Sequence, residues 1–288
     1  MTVEHFSEPP ASISQHAFDY IRTLVRKESS IVLDDGKMYL VTSRLSPLAR
    51  EHDFASVGAF ISHLQSSAFG EVHTLAMEAI ATTETSFFRD LHPFVELRDT
   101  ILPEIIRTRR DTSRSLSIWS AACSSGQEPH SIAMILKDRF SDLAGWNLQL
   151  LASDISRRMI ERAQEGIYTQ IEVNRGLPAP YLVRFFSQDE DRWHLNREVS
   201  GMFRYFHQNL ADEWTTLPPV DVILLRNVLI YFDVETRRKV LRRVRRMLRP
   251  GGYLVLGSAE TTLNLDQLFT RVRSGRAVFY QLADGPGT

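Results

Sequence analysis

Cysteine is nearly absent: Cys123 is the single thiol in 288 residues, so an intramolecular disulfide and a C-x-x-C metal site are both excluded. No run approaches the roughly 18 apolar residues that a membrane span needs. The opening residues, MTVEHFSEPPASIS, lack the charged stretch followed by an apolar one that marks a secretory signal. Nor is one charge in excess: the net charge is −1 and the pI about 6.8. That balance gives no global attraction to nucleic acid or to an anionic membrane, and leaves electrostatic recognition to local patches. Internal repeats and low-complexity tracts are missing as well. Together these absences predict a soluble, cytoplasmic protein with no metal site and no direct membrane insertion. What is present, 43% hydrophobic and 24% charged residues, is ordinary for a globular chain long enough for one large α/β domain and a small second one.

Residues 1–11 read as a mobile tail. Residues 12–80 read as helical. Phe18, Ile21, Leu24 and Val25 recur at helical spacing, as do Val57, Phe60, Ile61 and Leu64 behind Ser56 as an N-cap. Asp34-Asp35-Gly36 marks a turn, so a bundle of about four helices is expected. A linking segment, 81–110, leads to a domain over 111–288. There SIWSAA (117–122), LQLLASD (148–154), DVILLRN (221–227), GYLVLGS (252–258) and RAVFYQL (276–282) read as strands. Helical stretches such as PHSIAMILKDRF, SRRMIERAQEG and VETRRKVLRRVRRML alternate with them, which predicts an α/β, doubly wound, mostly parallel sheet. Residues 181–210 break that rhythm with RFFS, RWHLN and MFRYFHQNL around DED and SG turns, and predict a small antiparallel β-subdomain insertion.

In such a sheet the first strand-to-helix turn lies closest to a ligand. That turn is Ala121-Ala122-Cys123-Ser124-Ser125-Gly126, small residues that admit a ligand to the backbone, with Gly126 free to take dihedrals others resist. The fingerprint G-x-G-x-x-G is absent, which disfavours NAD and FAD. Glu128 would repel a phosphate and suits an ammonium or sulfonium ligand. Asp154, closing the second strand, is placed to accept from ribose hydroxyls; as the alternative it caps the helix that follows. Cys123 reads as a small buried residue, no partner His standing near it in sequence.

The segment WSAACSSGQEP (119–129) closely resembles the first motif of the CheR-type chemotaxis receptor glutamate methyltransferases. The resemblance continues through TTETSFFRD (82–90), ASDIS (152–156), the GIY of 166–168, LLRNVLIYFD (224–233) and LRPGGYLVLGSAE (248–260), in family order from about Phe18 to Tyr280. It implies a class I S-adenosylmethionine (SAM) methyltransferase-like fold behind an N-terminal, receptor-facing helical domain. It also implies S-adenosyl-L-methionine as cofactor, S-adenosyl-L-homocysteine as product, and chemotaxis receptor cytoplasmic helices as partners; in some members the β-subdomain binds a receptor C-terminal tether peptide. Carried over by position, Thr83, Thr85, Arg89 and Ala122 look like cofactor contacts. Glu128 and Asp154 look like ligands to its methionine and ribose portions, and Asn209-Leu210 and Arg226-Asn227 look like the pairs flanking its two ends. Arg89 and Tyr231 look like the catalytic residues. Thr83 stands where the family usually has Asn and lacks the amide's second donor; His130 stands where Tyr is common.

The reaction implied is methyl transfer to a glutamate side chain, giving a methyl ester. A carboxylate with a reference pKa of about 4.3 is already ionised at neutral pH, so no strong base is required. Arg89 can pair bidentately with it; the bland alternatives are a surface pair with Asp90 for Arg89 and a core aromatic for Tyr231. Lys37, Arg44 and Arg50 form a local basic patch in a segment, 1–80, that holds six Lys/Arg against ten Asp/Glu, and are candidates for receptor docking. The eight basic residues of 237–249 read as the solvated face of a helix burying Val240, Leu241, Val244 and Leu248, with a nucleic-acid-binding stripe as the alternative. Two other functions compete: a nucleic-acid methyltransferase, disfavoured by RNVLIYF where a Pro-Pro-aromatic motif would stand, and a non-catalytic binding module, suggested only by Thr83.

Overall fold

The computed structural model describes residues 13–214 and 217–282; the expected N-terminal tail lies outside them. Contacts divide the chain into two units: residues through Thr82 together with Tyr231–Asp233, and Thr83–Ile230 together with the chain from Val234 onward.

The first unit is helical, with α1 (Gln15–Ser29), α2 (Met38–Glu51), α3 (Val57–Ser66) and α4 (Glu71–Ile80). Ser14 caps α1 by accepting from the Ala17 N–H at 3.2 Å, and Ser56 caps α3 by accepting from the Ala59 N–H at 3.1 Å; each such cap contributes about 1 kcal/mol. Both apolar stripes seen in the sequence enter one buried cluster, because residues three and four apart share a helix face. The tripeptide Tyr231–Asp233 belongs here: Val32 N–H donates to the Tyr231 carbonyl at 2.8 Å, and Ile31 bridges Phe232.

In the second unit α5 (His92–Glu96) passes through a π-helical turn, Leu97–Ile101, into α6 (Leu102–Arg109). Next come β1 (Ser115–Ala121), α7 (Gln127–Arg139), β2 (Asn147–Asp154) and α8 (Arg157–Glu165). Short elements follow: β3 (Ile167–Thr169), α9 (Gln170–Asn174), α10 (Ala179–Phe185), β4 (Phe186–Asp189), β5 (Arg192–Leu195), α11 (Arg197–Ser200) and β6 (Arg204–His207). The unit closes with β7 (Val220–Leu225), α12 (Val234–Met247), β8 (Leu248–Leu256), β9 (Phe269–Ser274) and β10 (Ala277–Leu282). The main sheet has the order β6-β2-β1-β7-β8-β10-β9. From β6 to β8 it is parallel, and β10 lies antiparallel between β8 and β9. Strand β7 is buried along its whole length, as a sequence apolar at all but one position requires. Its one charge, Asp221, accepts from the Ser117 N–H at 2.8 Å and faces Arg109 and Arg249.

The β-subdomain differs from the expected 181–210. The small antiparallel sheet is β3-β5-β4, beginning at Ile167 and ending at Leu195. Tyr181 and Leu182 lie in helix α10, started by Pro178 and Pro180. Arg204–His207 leaves the subdomain and pairs parallel with β2 at the edge of the main sheet. Alternating aromatics signal a strand but not which strand it joins, since pairing is decided by distant chain.

Chain growth runs from β1 through β2 to β6 on one side, then crosses to β7 and β8 on the other. The order therefore reverses between β1 and β7, and the crevice beyond their carboxyl ends is where such sheets hold ligands.

Candidate functional site

The turn after β1 is tightly wound. Ala122, Ser124 and Gly126 have φ of 60°, 51° and 94°. For non-glycine residues this region carries a strain of about 1–2 kcal/mol. Hydrogen bonds hold the turn in place: Cys123 N–H donates to the Ser153 carbonyl at 2.9 Å, and Ser124 N–H to Asp154 Oδ2 at 2.8 Å. Ser124 Oγ donates to the Thr83 carbonyl at 2.6 Å. Thr83 thus braces the turn through its backbone, a contact that does not depend on whether Asn or Thr stands there. A Cβ at Gly126 would lie 2.8 Å from the Ala163 Cβ, so glycine is required by both φ and space.

Asp154 is buried at the end of β2. Its Oδ1 accepts from Ser156 N–H at 2.9 Å, while the helix cap is Ser156, whose hydroxyl accepts from Met159 N–H. The capping alternative therefore falls to Ser156. A carboxylate is an acceptor on both oxygens, the chemistry that a ribose diol calls for. Gln208 N–H donates to the Asp154 carbonyl at 2.9 Å, which brings the β6 end beside it. Asn209 and Leu210 follow directly, both buried. The Leu210 carbonyl accepts from Trp214 Nε1 at 3.1 Å, and Trp214 packs edge-on against Trp119.

Glu128 sits in the first turn of α7. Ser120 Oγ donates to its Oε1 at 2.7 Å, and Arg226 Nη1 to its Oε2 at 2.9 Å. Arg226, only 6% exposed, also bonds Asp90 Oδ2 at 2.8 Å and the Arg89 carbonyl at 2.7 Å, and lies over the Phe94 ring. One guanidinium thus faces two carboxylates, which leaves a negative charge uncompensated and favours a cationic ligand. The Arg226 Nε has no hydrogen-bond partner, an orphaned donor beside that charge cluster. These features fit a ligand with a sulfonium and an amino-acid moiety: carboxylates for its cations, Asp154 for its ribose and small residues for close approach.

Asp90 pairs with Arg226, which leaves the alternative of an Arg89–Asp90 surface pair without support. Arg89 is half-buried and donates through Nη1 to the Glu84 carbonyl at 2.9 Å. The backbone around it is strained, with Phe88, Asp90 and Leu91 at φ of 48°, 65° and 44°. Thr85 is half-buried nearby in sequence. Asn227, φ 57°, follows Arg226 at the end of β7.

Burial pushes the Cys123 thiol well up, and the Asp154 and Glu128 carboxylates add to the effect; a thiol so protonated is no nucleophile. His130, fully buried, bonds Tyr168 through Nδ1 at 2.7 Å and Tyr205 through Nε2 at 2.8 Å, and Tyr168 donates to the Ser125 carbonyl at 2.9 Å. This chain supports the cofactor turn from behind. All four members lie in segments singled out in the sequence, but nothing there links them, because the partners are up to 75 residues apart.

Tyr231 groups with the helical unit, as do Lys37, Arg44 and Arg50. Lys37 pairs with Asp34 at 3.2 Å, and Arg50 is exposed. Arg44 departs from its expected docking role: its guanidinium donates to the Ile80 carbonyl and to Thr82 Oγ1, and partial burial lowers its pKa. It ties α2 to the end of α4 and does not stand free for a partner. Among the described residues no cluster suited to a metal ion exists, and no helix is long and apolar enough to cross a membrane.

A doubly wound sheet of this strand order, with small residues and acidic groups where dinucleotide enzymes carry glycines, defines the class I SAM methyltransferase-like proteins. Residues 83–278 match the CheR methyltransferase, SAM binding domain, and residues 16–80 the CheR methyltransferase, all-alpha domain. The chain belongs to the CheR methyltransferase family and uses S-adenosylmethionine. It is 35% identical over 269 residues to chemotaxis protein methyltransferase 1 of Pseudomonas aeruginosa, covering 92% of this chain and 97% of that one. A chemotaxis protein methyltransferase of Vibrio parahaemolyticus is 36% identical over 275 residues, covering 94% and 98%. The Escherichia coli chemotaxis protein methyltransferase is 32% identical over 264 residues, covering 90% and 89%.

Proposed function

We propose that this protein methylates glutamate side chains of chemotaxis receptors, forming glutamyl methyl esters in the cytoplasm. The observation that carries the reading is the charge arrangement at the β1 and β7 ends, where Arg226 is shared by Glu128 and Asp90 and one negative charge is left for a cationic ligand. The bound cofactor supplies an electrophilic methyl group. Glu128 and its neighbours hold the amino-acid end, Asp154 the ribose, and the strained turn brings Ala122 close. Asn209, Leu210 and Asn227 line the same crevice.

A glutamate acceptor is already ionised, so the site needs alignment and no base, and alignment alone can lower a barrier by several kcal/mol. This fits a site whose only buried imidazole, His130, is held neutral and tied to two tyrosines. Arg89, with most of its donor fork uncommitted to the Glu84 carbonyl, orients the acceptor carboxylate, and Tyr231 contacts the methyl or the carboxylate oxygen. Arg50, which is exposed, and Lys37, whose pair with Asp34 lies at the surface, meet an acidic receptor helix; the small sheet β3-β5-β4 is the place for a receptor tail peptide.

The test is transfer of radioactive methyl to a purified receptor cytoplasmic fragment. Label released by mild alkali identifies a carboxyl ester; label that survives alkali, or that enters nucleic acid instead, refutes the reading.

A further inference from the structure

Glu260 lies after β8, in the stretch SAE, and is 9% exposed. Its carboxylate accepts from four backbone N–H groups. Oε2 takes those of Asn227 and Gly257, both at 2.7 Å, and Oε1 takes those of Val228 at 2.9 Å and Ile230 at 3.3 Å. Three of the four donors belong to the segment that leaves β7. Asn227 holds φ at 57°, an αL conformation uncommon outside glycine that asparagine tolerates better than most residues. Its side chain rests on Gly257: a Cβ there would lie 2.6 Å from Asn227 Nδ2 and 2.8 Å from Glu260 Oε2. Loop, glycine and carboxylate form one unit that fixes both the backbone and the amide of Asn227.

We infer that Glu260 is a positioning residue: it does not touch the cofactor, but its carboxylate is the template on which residues 227–230 fold, and so sets where Asn227 presents its amide. The inference rests on the proposed placement of Asn227 at the cofactor. Glutamine at this position has one acceptor oxygen and two N–H donors, so one pair of backbone N–H groups would face donors. The loop would then relax from its αL turn while the β7 end, held by Arg226, stays in place.

The experiment is calorimetric titration of S-adenosylhomocysteine into the wild type, Glu260→Gln, Asn227→Ala and the double variant, with melting curves to establish folding. Glu260→Gln is expected to weaken binding at least tenfold. The double variant should bind no more weakly than the worse single, because a displaced Asn227 has nothing left to lose. A merely structural role predicts losses that multiply, and that outcome, or affinity within twofold of wild type in Glu260→Gln, overturns the inference. If Asn227→Ala alone binds normally, the fault lies with the placement of Asn227 and the inference falls with it. If Glu260→Gln does not fold, Gly257→Ala crowds the same amide and carboxylate without changing the chemistry of either, and is expected to show the same non-additivity with Asn227→Ala.

Discussion

Lowering the pH should destabilise this protein through one imidazole. His130 is fully buried between two tyrosine hydroxyls. Tyr168 gives its own proton to the Ser125 carbonyl, so it must accept from Nδ1–H, which leaves Nε2 to accept from Tyr205. The donor chain Tyr205, His130, Tyr168, Ser125 therefore uses a neutral ring; a protonated ring would turn Nε2 into a donor, so that the Tyr205 hydroxyl could no longer donate to it and the charge would sit fully buried. Burial pushes the pKa of His130 down to about 3, against about 6.5 when unfolded. A base depressed in this way contributes stability that is fully present above the unfolded pKa and is lost as the pH falls toward the folded one. Between pH 8 and pH 5 the loss is about 2 kcal/mol, or roughly 4–8 °C in Tm for a domain of this size.

The assay is thermal melting at both pH values for the wild type and for His130→Gln, which keeps one donor and one acceptor but does not titrate. Carboxylates elsewhere titrate alike in the two proteins, so the difference between their pH responses isolates the ring. The wild type should lose about 2 kcal/mol more than the variant. Equal losses would show that the imidazole is not held neutral, and would refute the donor chain.

Arg89→Ala should leave S-adenosylhomocysteine affinity within about threefold while methyl transfer falls on the order of 10²-fold, the scale for losing an oriented charge-stabilising donor; unchanged turnover would remove Arg89 from the mechanism. Gly126→Ala, with φ of 94° and a Cβ 2.8 Å from Ala163, should cost about 3 kcal/mol, seen as a fall in melting temperature together with weakened cofactor binding; a wild-type melting curve would contradict the turn geometry. Thr83→Asn should change stability by less than about 0.5 kcal/mol, since the brace uses the Thr83 carbonyl, and calorimetry then reads directly whether an amide there adds a cofactor contact.

Much of the scaffold was legible because periodicity is a local property. Apolar stripes at helical spacing and the continuous run VDVILL each specify an element without reference to the rest of the chain. The same holds for the turn Ala122–Gly126, whose small residues announce close packing, and for Ser56, a cap readable from its own position. Short strands were harder. Ile167–Thr169 has three residues and no period of its own, and Arg204–His207 looked like part of a meander because its aromatics alternate regardless of which strand it pairs with.

The sequence by itself determined the helical bundle, the alternating strands and helices, the cofactor turn and the family. Each is written in residues adjacent or regularly spaced along the chain. Only the tertiary structure decided how the charges are shared. Arg226 is 98 residues from Glu128 and 136 from Asp90, and Glu260 reaches back 33 residues to the Asn227 amide. Such pairings arise because the sheet's reversal of order between β1 and β7 gathers strand ends from remote parts of the chain. Burying an ion or amide without partners is costly, so the groups that the topology gathers there largely satisfy one another, and what they leave over, a negative charge and the Arg226 Nε donor, is what a ligand can meet.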